Sequence, residues 1–274
     1  MMTALHVGPG LGQLTARHAD GQTSITTAAA GDPLKLLVTR PRGPAAWVFA
    51  TTYGGGLLAG DRTRLDLDLG ADTRVFMGSQ ASTKVYKSED LRQAEVTVTG
   101  RVGPGALLAW LPDPVVPFAA SRLDQSLHLD LAADADAVVL DALTAGRLAR
   151  EERWDLTRAR SRLAIDRAGK PLLRDALDLR SSHLRERLGT CGVLATLVLT
   201  GPRLAPLAAA IATEVQAAAA GPWDGGLLIG VAPRGQDLLL RLAAPAWPVA
   251  EVWLHRRLAP LASLLDGAPW LRRP

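Results

Sequence analysis

Between residues 12 and 200 hydrophobic and polar positions alternate with period two, as in Arg64-Leu65-Asp66-Leu67-Asp68-Leu69, Glu95-Val96-Thr97-Val98-Thr99 and Leu127-His128-Leu129-Asp130-Leu131. That period marks strands with one face buried and one face wet. The strands recur every ten to fifteen residues. Turn signals separate them at Ala19-Asp20-Gly21, Leu69-Gly70-Ala71-Asp72, Val102-Gly103-Pro104-Gly105 and Arg167-Ala168-Gly169. Strand after strand with no helix between predicts a mainly β fold whose large body is antiparallel or β-helix-like, largely antiparallel from the strand succession alone.

The period changes after Gly201-Pro202. Leu204, Leu207, Ala208, Ile211 and Val215 fall at helical spacing in an alanine-rich segment that stops at Gly221-Pro222. Two short strands follow, Leu227 to Val231 and Asp237 to Leu242. A second helical pattern runs through Val252, Leu254, Leu258, Leu261 and Leu265, with Pro260 placed to interrupt it. No repeat of fixed period, linker or break in composition appears. The expectation is a single domain over 1–274, with a β body at about 12–200 and two α-helices in the C-terminal third, at about 203–220 and 247–265.

Composition narrows the function more than the fold. Hydrophobic residues make up 48% of the 274 and charged residues 21%, enough for a full core, so disorder is excluded. The net charge of +4 is assembled from 31 basic and 27 acidic residues interleaved along the chain, without a basic stripe. Two tyrosines and three phenylalanines offer few stacking platforms and the seven tryptophans are read as core or interface packing, so no nucleic-acid partner is expected. Apolar runs such as Gly192 to Thr200 are too short to cross a bilayer, and residues 1 to 20 lack the apolar run of a secretion signal. The single cysteine, Cys191, can form no internal disulfide or Cys-based metal cage, which fits a reducing cytoplasm.

The catalytic templates fail one after another. Gly54-Gly55-Gly56-Leu57-Leu58-Ala59-Gly60-Asp61 suggests a phosphate loop, but Ala59 stands where a dinucleotide fingerprint needs its third glycine. A P-loop would need Lys and Ser or Thr after Gly60, and Asp61 there would repel phosphate. A tight chain reversal and a functional surface both remain open for this cluster. Gly78-Ser79-Gln80-Ala81-Ser82 lacks the second glycine of a nucleophile elbow. The five histidines, His6, His18, His128, His183 and His255, show no metal-binding spacing.

The same stretch closely resembles another pattern. Thr52 to Asp61, then a strand, then Ser79-Gln80-Ala81-Ser82-Thr83-Lys84-Val85-Tyr86-Lys87-Ser88 is similar to the urease accessory protein family UreD (UreH). That family has a glycine pair, a short apolar step and Gly-Asp, followed about twenty residues on by Gln-Ala-(Ala/Ser)-Thr-Lys-(Val/Phe)-Tyr. Trp110 to Phe118, with Asp113, resembles the family's Leu-Pro-(Asp/Gln) segment. Asp141 to Arg147, with Gly146, Glu152 and Trp154, resembles its Gly-Arg stretch, although Arg150-Glu151 stands where Gly-Glu is usual. The likeness covers about residues 10 to 180 well and the rest in outline.

The resemblance implies a non-enzymatic scaffold for nickel insertion into apo-urease, in complex with a UreF-type helical protein and a UreG-type GTPase, with a homodimer formed through the complex as a further option. It implies no tightly bound cofactor and nickel only in transit. A passage for nickel needs carboxylate and carbonyl oxygens that hold Ni²⁺ weakly. On that basis Asp61 and Asp141 are expected to line the interior, Gly54, Gly55, Gly56 and Gly60 to shape the turn, and Thr83, Lys84 and Tyr86 to form a polar cluster beside it, with Gln80 in the same block. The alternatives are structural: Asp61 capping the turn, Lys84 pairing with a carboxylate, Tyr86 packing. Trp247, Trp253, Leu254, Leu258 and Leu261 form a candidate docking surface, with core packing as the alternative. Two other functions stay open: a UreD-like paralogue with a different metal-maturation or binding role, and an enzyme whose site is assembled from scattered residues such as Asp61, Lys84, Asp113 and Asp141.

Overall fold

The computed structural model describes residues 7–40, 43–180, 183–218 and 226–271. The chain opens with a hairpin, β1 (Leu11–Ala19) and β2 (Gln22–Ala30), whose tip residues Asp20 and Gly21 both have positive φ, the geometry that matches strand twist in a two-residue turn. It crosses to a second sheet through β3 (Leu34–Val38) and β4 (Ala46–Thr52). A single turn at Tyr53–Gly55 leads to β5 (Gly56–Leu57).

From there the chain winds as a coil. β6 (Arg62–Leu69) lies in the first sheet, β7 (Arg74–Ser79) in the second and β8 (Lys84–Val85) on a third side. The next turn repeats the order with β9 (Ala94–Val102), β10 (Leu107–Trp110) and β11 (Val116–Pro117). A last turn adds β12 (Arg122–Leu131), β13 (Asp136–Thr144) and, after a loop, β14 (Arg158–Arg167). Successive turns pair in parallel: β1, β6, β9, β12 and β14 in the first sheet, β4, β7, β10 and β13 in the second.

The body is therefore β-solenoid-like at its centre, and the antiparallel pairing expected from strand succession is confined to the edges. Antiparallel partners there are β1 with β2 and β14 with β15 (Lys170–Arg180) in the first sheet, and, in the second, β3 with β4 and β13 with β16 (Val193–Thr200), then β18 (Asp237–Ala244) and β17 (Leu228–Arg234). Alternation records which face is wet and says nothing of strand direction, which is why the pattern misled. The crossover that a parallel pair requires is supplied by the other two sides of the coil rather than by a helix.

Three apolar layers hold this together. Between the sheets, Leu14, Leu67, Met77, Leu108, Leu129, Val139, Ile165 and Val198 fill one end. Leu57, Val85, Leu123, Leu143, Trp154 and Leu179 fill the other. Outside the second sheet, α2 (Ala205–Ala218), α3 (Trp247–Leu258) and α4 (Ala262–Leu265) cover Phe76, Leu107, Leu197 and Leu240. A short α1 (Leu184–Leu188) follows β15. The expected stop at Gly221-Pro222, and residues 219–220 of the first predicted helix, lie outside the described residues. Pro260 does interrupt the second, through a single turn at Ala259–Leu261. Leu254 and Leu258, with Leu261, are buried in the layer beneath the helices and Trp253 is partly buried under the Arg257 guanidinium, so this stripe is core rather than a docking surface. No helix among the described residues is long and apolar enough to cross a membrane.

Candidate functional site

The third side of the coil is built from the motif blocks themselves. β5 comes from the glycine cluster, β8 from the Thr83-Lys84-Val85-Tyr86 block and β11 from the Asp113-to-Phe118 segment, and they pair in parallel as Gly56 with Lys84 and Lys84 with Val116. Gly54 and Gly55 have φ of 77° and 71°, a left-handed turn that other residues adopt at a cost. A Cβ on Gly56 would stand 2.6 Å from the Lys84 carbonyl oxygen, so this strand pairs closely only because the residue is glycine.

Contacts then run from block to block. The Tyr86 hydroxyl donates to the Gly54 carbonyl at 3.4 Å, and its ring meets Phe118 edge-on at 5.3 Å. The Arg147 guanidinium lies 4.1 Å from the centre of the Phe118 ring and pairs with Glu152, which also accepts from the Ala119 amide at 3.2 Å. The Arg147 hydrogen bonds hold the Glu152 carboxyl below its ordinary range. Gly146, with φ of 104°, brings Arg147 to that position against Pro117.

Behind this wall lies a cavity of about 150 Å³, bounded by Leu57, Thr83 and Val115 from the third side. At its rim the Ser79 hydroxyl donates to Asp113 at 3.3 Å and accepts from the Asp113 amide at 2.8 Å. The cavity follows a polar layer that separates the two apolar ends of the sandwich. Gln125 and Ser161 are neighbours across the first sheet, and Asp141 faces them from the second. Gln125 donates to one Asp141 oxygen at 2.8 Å and to the Ser161 hydroxyl at 3.0 Å, while that hydroxyl donates to the other Asp141 oxygen. Burial pushes the Asp141 carboxyl above its ordinary value, Asp175 nearby adds to the rise, and the Ser161 and Gln125 hydrogen bonds oppose it. A second cavity, of about 420 Å³, begins at Asp141 and runs past Thr196 to Asp175 and Arg241 at the open edge of the sandwich.

Asp141 is thus the residue the two cavities share. Asp61 is not among the residues lining either. It accepts from the Leu58 amide at 2.8 Å and caps the glycine turn, the structural alternative weighed from sequence. Thr83 lines the first cavity, Lys84 and Gln80 are exposed, Tyr86 packs, and Gly60 has a positive φ in the turn that Asp61 caps. Gln125, Ser161, Asp175 and Arg241 escaped the motif search. For three of them the signal was present: Gln125 sits between Leu123 and Leu127, Ser161 between Ala159 and Leu163, and Asp175 between Leu173 and Leu177, each a polar residue on the inward phase of its strand.

All four blocks of the resemblance therefore meet in one wall and its cavity, and the match extends to the C-terminal part. The model of the family described as UreD urease accessory protein covers residues 9–273. The chain belongs to the UreD family. It is 38% identical over 268 residues to urease accessory protein UreD of Anaeromyxobacter sp. (strain Fw109-5), covering 97% of this chain and 90% of that protein. To the UreD of Sorangium cellulosum (strain So ce56) it is 39% identical over 269 residues, covering 96% and 84%. Urease accessory protein D of Oryza sativa subsp. indica is 34% identical over 200 residues, 70% of this chain and 65% of the plant protein. A UreD protein serves urease maturation as an accessory factor beside other maturation factors.

Proposed function

We propose that this UreD chain is a non-catalytic scaffold for nickel insertion into apo-urease, working in a complex with UreF-type and UreG-type proteins, and that the ion crosses the sandwich along the polar layer at Asp141. The observation that carries the reading is the position of Asp141 at the junction of two cavities, with its carboxylate held by two neutral donors. Neutral partners leave the negative charge uncompensated, so a passing cation finds a ligand it need not wrest from a fixed arginine. Hydroxyl, amide and carboxylate oxygens hold Ni²⁺ less firmly than thiolate or imidazole, which suits transfer rather than storage.

Coexpression with UreF, UreG and apo-urease from one genome tests this. Asp141→Ala is expected to assemble normally in pull-down yet lose most nickel-dependent urease activation. Full activation by that variant sinks the passage, and failure of the wild-type chain to join any complex sinks the scaffold. Asp61→Ala, which only opens a turn cap, is expected to retain activation in proportion to its folded fraction.

A further inference from the structure

The second cavity lies at the edge of the sandwich where β15 borders the first sheet and β17 and β18 the second. Among its described lining residues are two carboxylates, Asp141 and Asp175, and one cation, Arg241. Asp141, Thr196 and Arg241 are neighbours in one row across the second sheet. Asp175 faces them from β15, next to Leu163. The Arg241 guanidinium spans the gap between the sheets and pairs with Asp175. The two partners are unequally placed, since the Asp175 side chain is 13% exposed and that of Arg241 60%. The carboxylate belongs to the passage; the guanidinium stands mostly in water.

We infer that Arg241 is a tethered counter-ion that closes the lateral end of the passage and is displaced by a divalent cation. The inference rests on the passage proposed above and adds a device to it. With the passage empty, the guanidinium balances the single charge of Asp175. A divalent cation between Asp141 and Asp175 balances both carboxylates, which leaves the guanidinium surplus and free to swing fully into solvent, where most of it already lies. A monovalent cation would only exchange one positive charge for another and gain nothing against a tethered partner of high effective concentration. The closed state is weakly held, because an ion pair whose guanidinium stands mostly in water contributes little. Such a latch yields to the cargo without trapping it.

The test is Ni²⁺ binding to the purified full chain by isothermal titration calorimetry, with thermal unfolding of each variant as a control. Arg241→Gln is expected to bind Ni²⁺ about 3- to 5-fold more tightly than wild type, the equivalent of an exposed ion pair that no longer has to be broken. Arg241→Lys, which keeps the charge, should bind more weakly than Arg241→Gln, and Asp175→Asn in the Arg241→Gln background should cancel the gain. Equal affinity in wild type and Arg241→Gln, no detectable binding by either, or a gain that survives Asp175→Asn overturns the inference. A wild type too weak to titrate beside a measurable Arg241→Gln supports it. Because the assay contains no urease, the two readings fail separately. Full activation by Asp141→Ala removes the transit role, whereas an unchanged Arg241→Gln affinity with Asp141→Ala inactive removes only the latch.

Discussion

A half-buried carboxylate whose hydrogen-bond partners are neutral is a liability to the fold, and Asp141 is such a group. Its folded pKa lies above the ordinary value of 3.8, so the fold favours the protonated form. The stability this group contributes is complete below that ordinary value and is lost as pH rises through the raised folded pKa. At neutral pH the ionised group therefore costs the fold stability. Asp141→Asn, uncharged at every pH, should melt about 2 °C above wild type at neutral pH, with the gain disappearing in acid. Thermal melts across that range check this, and a variant less stable at neutral pH would contradict it. The same shift predicts that nickel-dependent activation by the wild-type complex falls away in acid at a higher pH than an ordinary carboxylate would allow, as Asp141 takes up a proton and ceases to be a ligand. The residue was legible as a candidate only through the family likeness, although Val139-x-Asp141-x-Leu143 already placed a charge on the inward phase of a strand. Asp61 misled because an acid beside glycines reads equally as a ligand or a cap, and only the 2.8 Å bond from the Leu58 amide decides.

At the scale of elements, three strands of two residues each cannot hold a wall alone, and side chains from the loops complete it. Gly55 and Gly56 separate the two reasons for a glycine. Gly55 has positive φ with open space around its missing Cβ, so Gly55→Ala should cost about 1 kcal/mol of backbone strain. Gly56→Ala would drive a methyl group into the Lys84 carbonyl and the Tyr86 ring, and should cost about 2–3 kcal/mol. Denaturant midpoints of the two variants, in that order, are the check. Arg147→Ala removes the cation over Phe118 and the partner of Glu152, and should lower the denaturant midpoint at neutral pH. Glu152 has a depressed folded pKa, so its contribution is present above the ordinary value of 4.5 and fades as pH falls through the folded one, and the difference between wild type and Arg147→Ala should narrow there. Sequence alternation located the long strands β6, β9 and β12 but none of these two-residue ones. It could not show that they pair in parallel, since a half-buried strand alternates whichever way its neighbour runs.

Over the whole molecule the coil explains why no fixed repeat could be read. Arg62 pairs with Glu95, Ala94 with Leu123 and Arg122 with Arg158, steps of 33, 29 and 36 residues for one architectural turn. Unequal loops hide a regular stack. The stack in turn needs the C-terminal helices, because the second sheet is apolar on both faces and, among the described residues, these helices pack on its outer face. Asp136 ties the two parts together. Fully buried at the start of β13, it accepts from the Arg203 amide at 2.9 Å and pairs with the Arg203 guanidinium, which reaches on to the Gly105 carbonyl at 2.7 Å. One side chain ahead of α2 thus fastens two turns of the coil. Asp136→Ala removes the acceptor of both the Arg203 amide and its guanidinium and should cost about 1–3 kcal/mol, visible as a lower denaturant midpoint. A chain ending at Thr200 loses the whole cover, leaving Phe76, Leu107, Leu197 and Leu199 bare, and should be insoluble rather than merely less stable. If that truncation folds and binds the same partners, the helices are an addition to the solenoid; if it aggregates, as the doubly apolar sheet requires, they are half of its core.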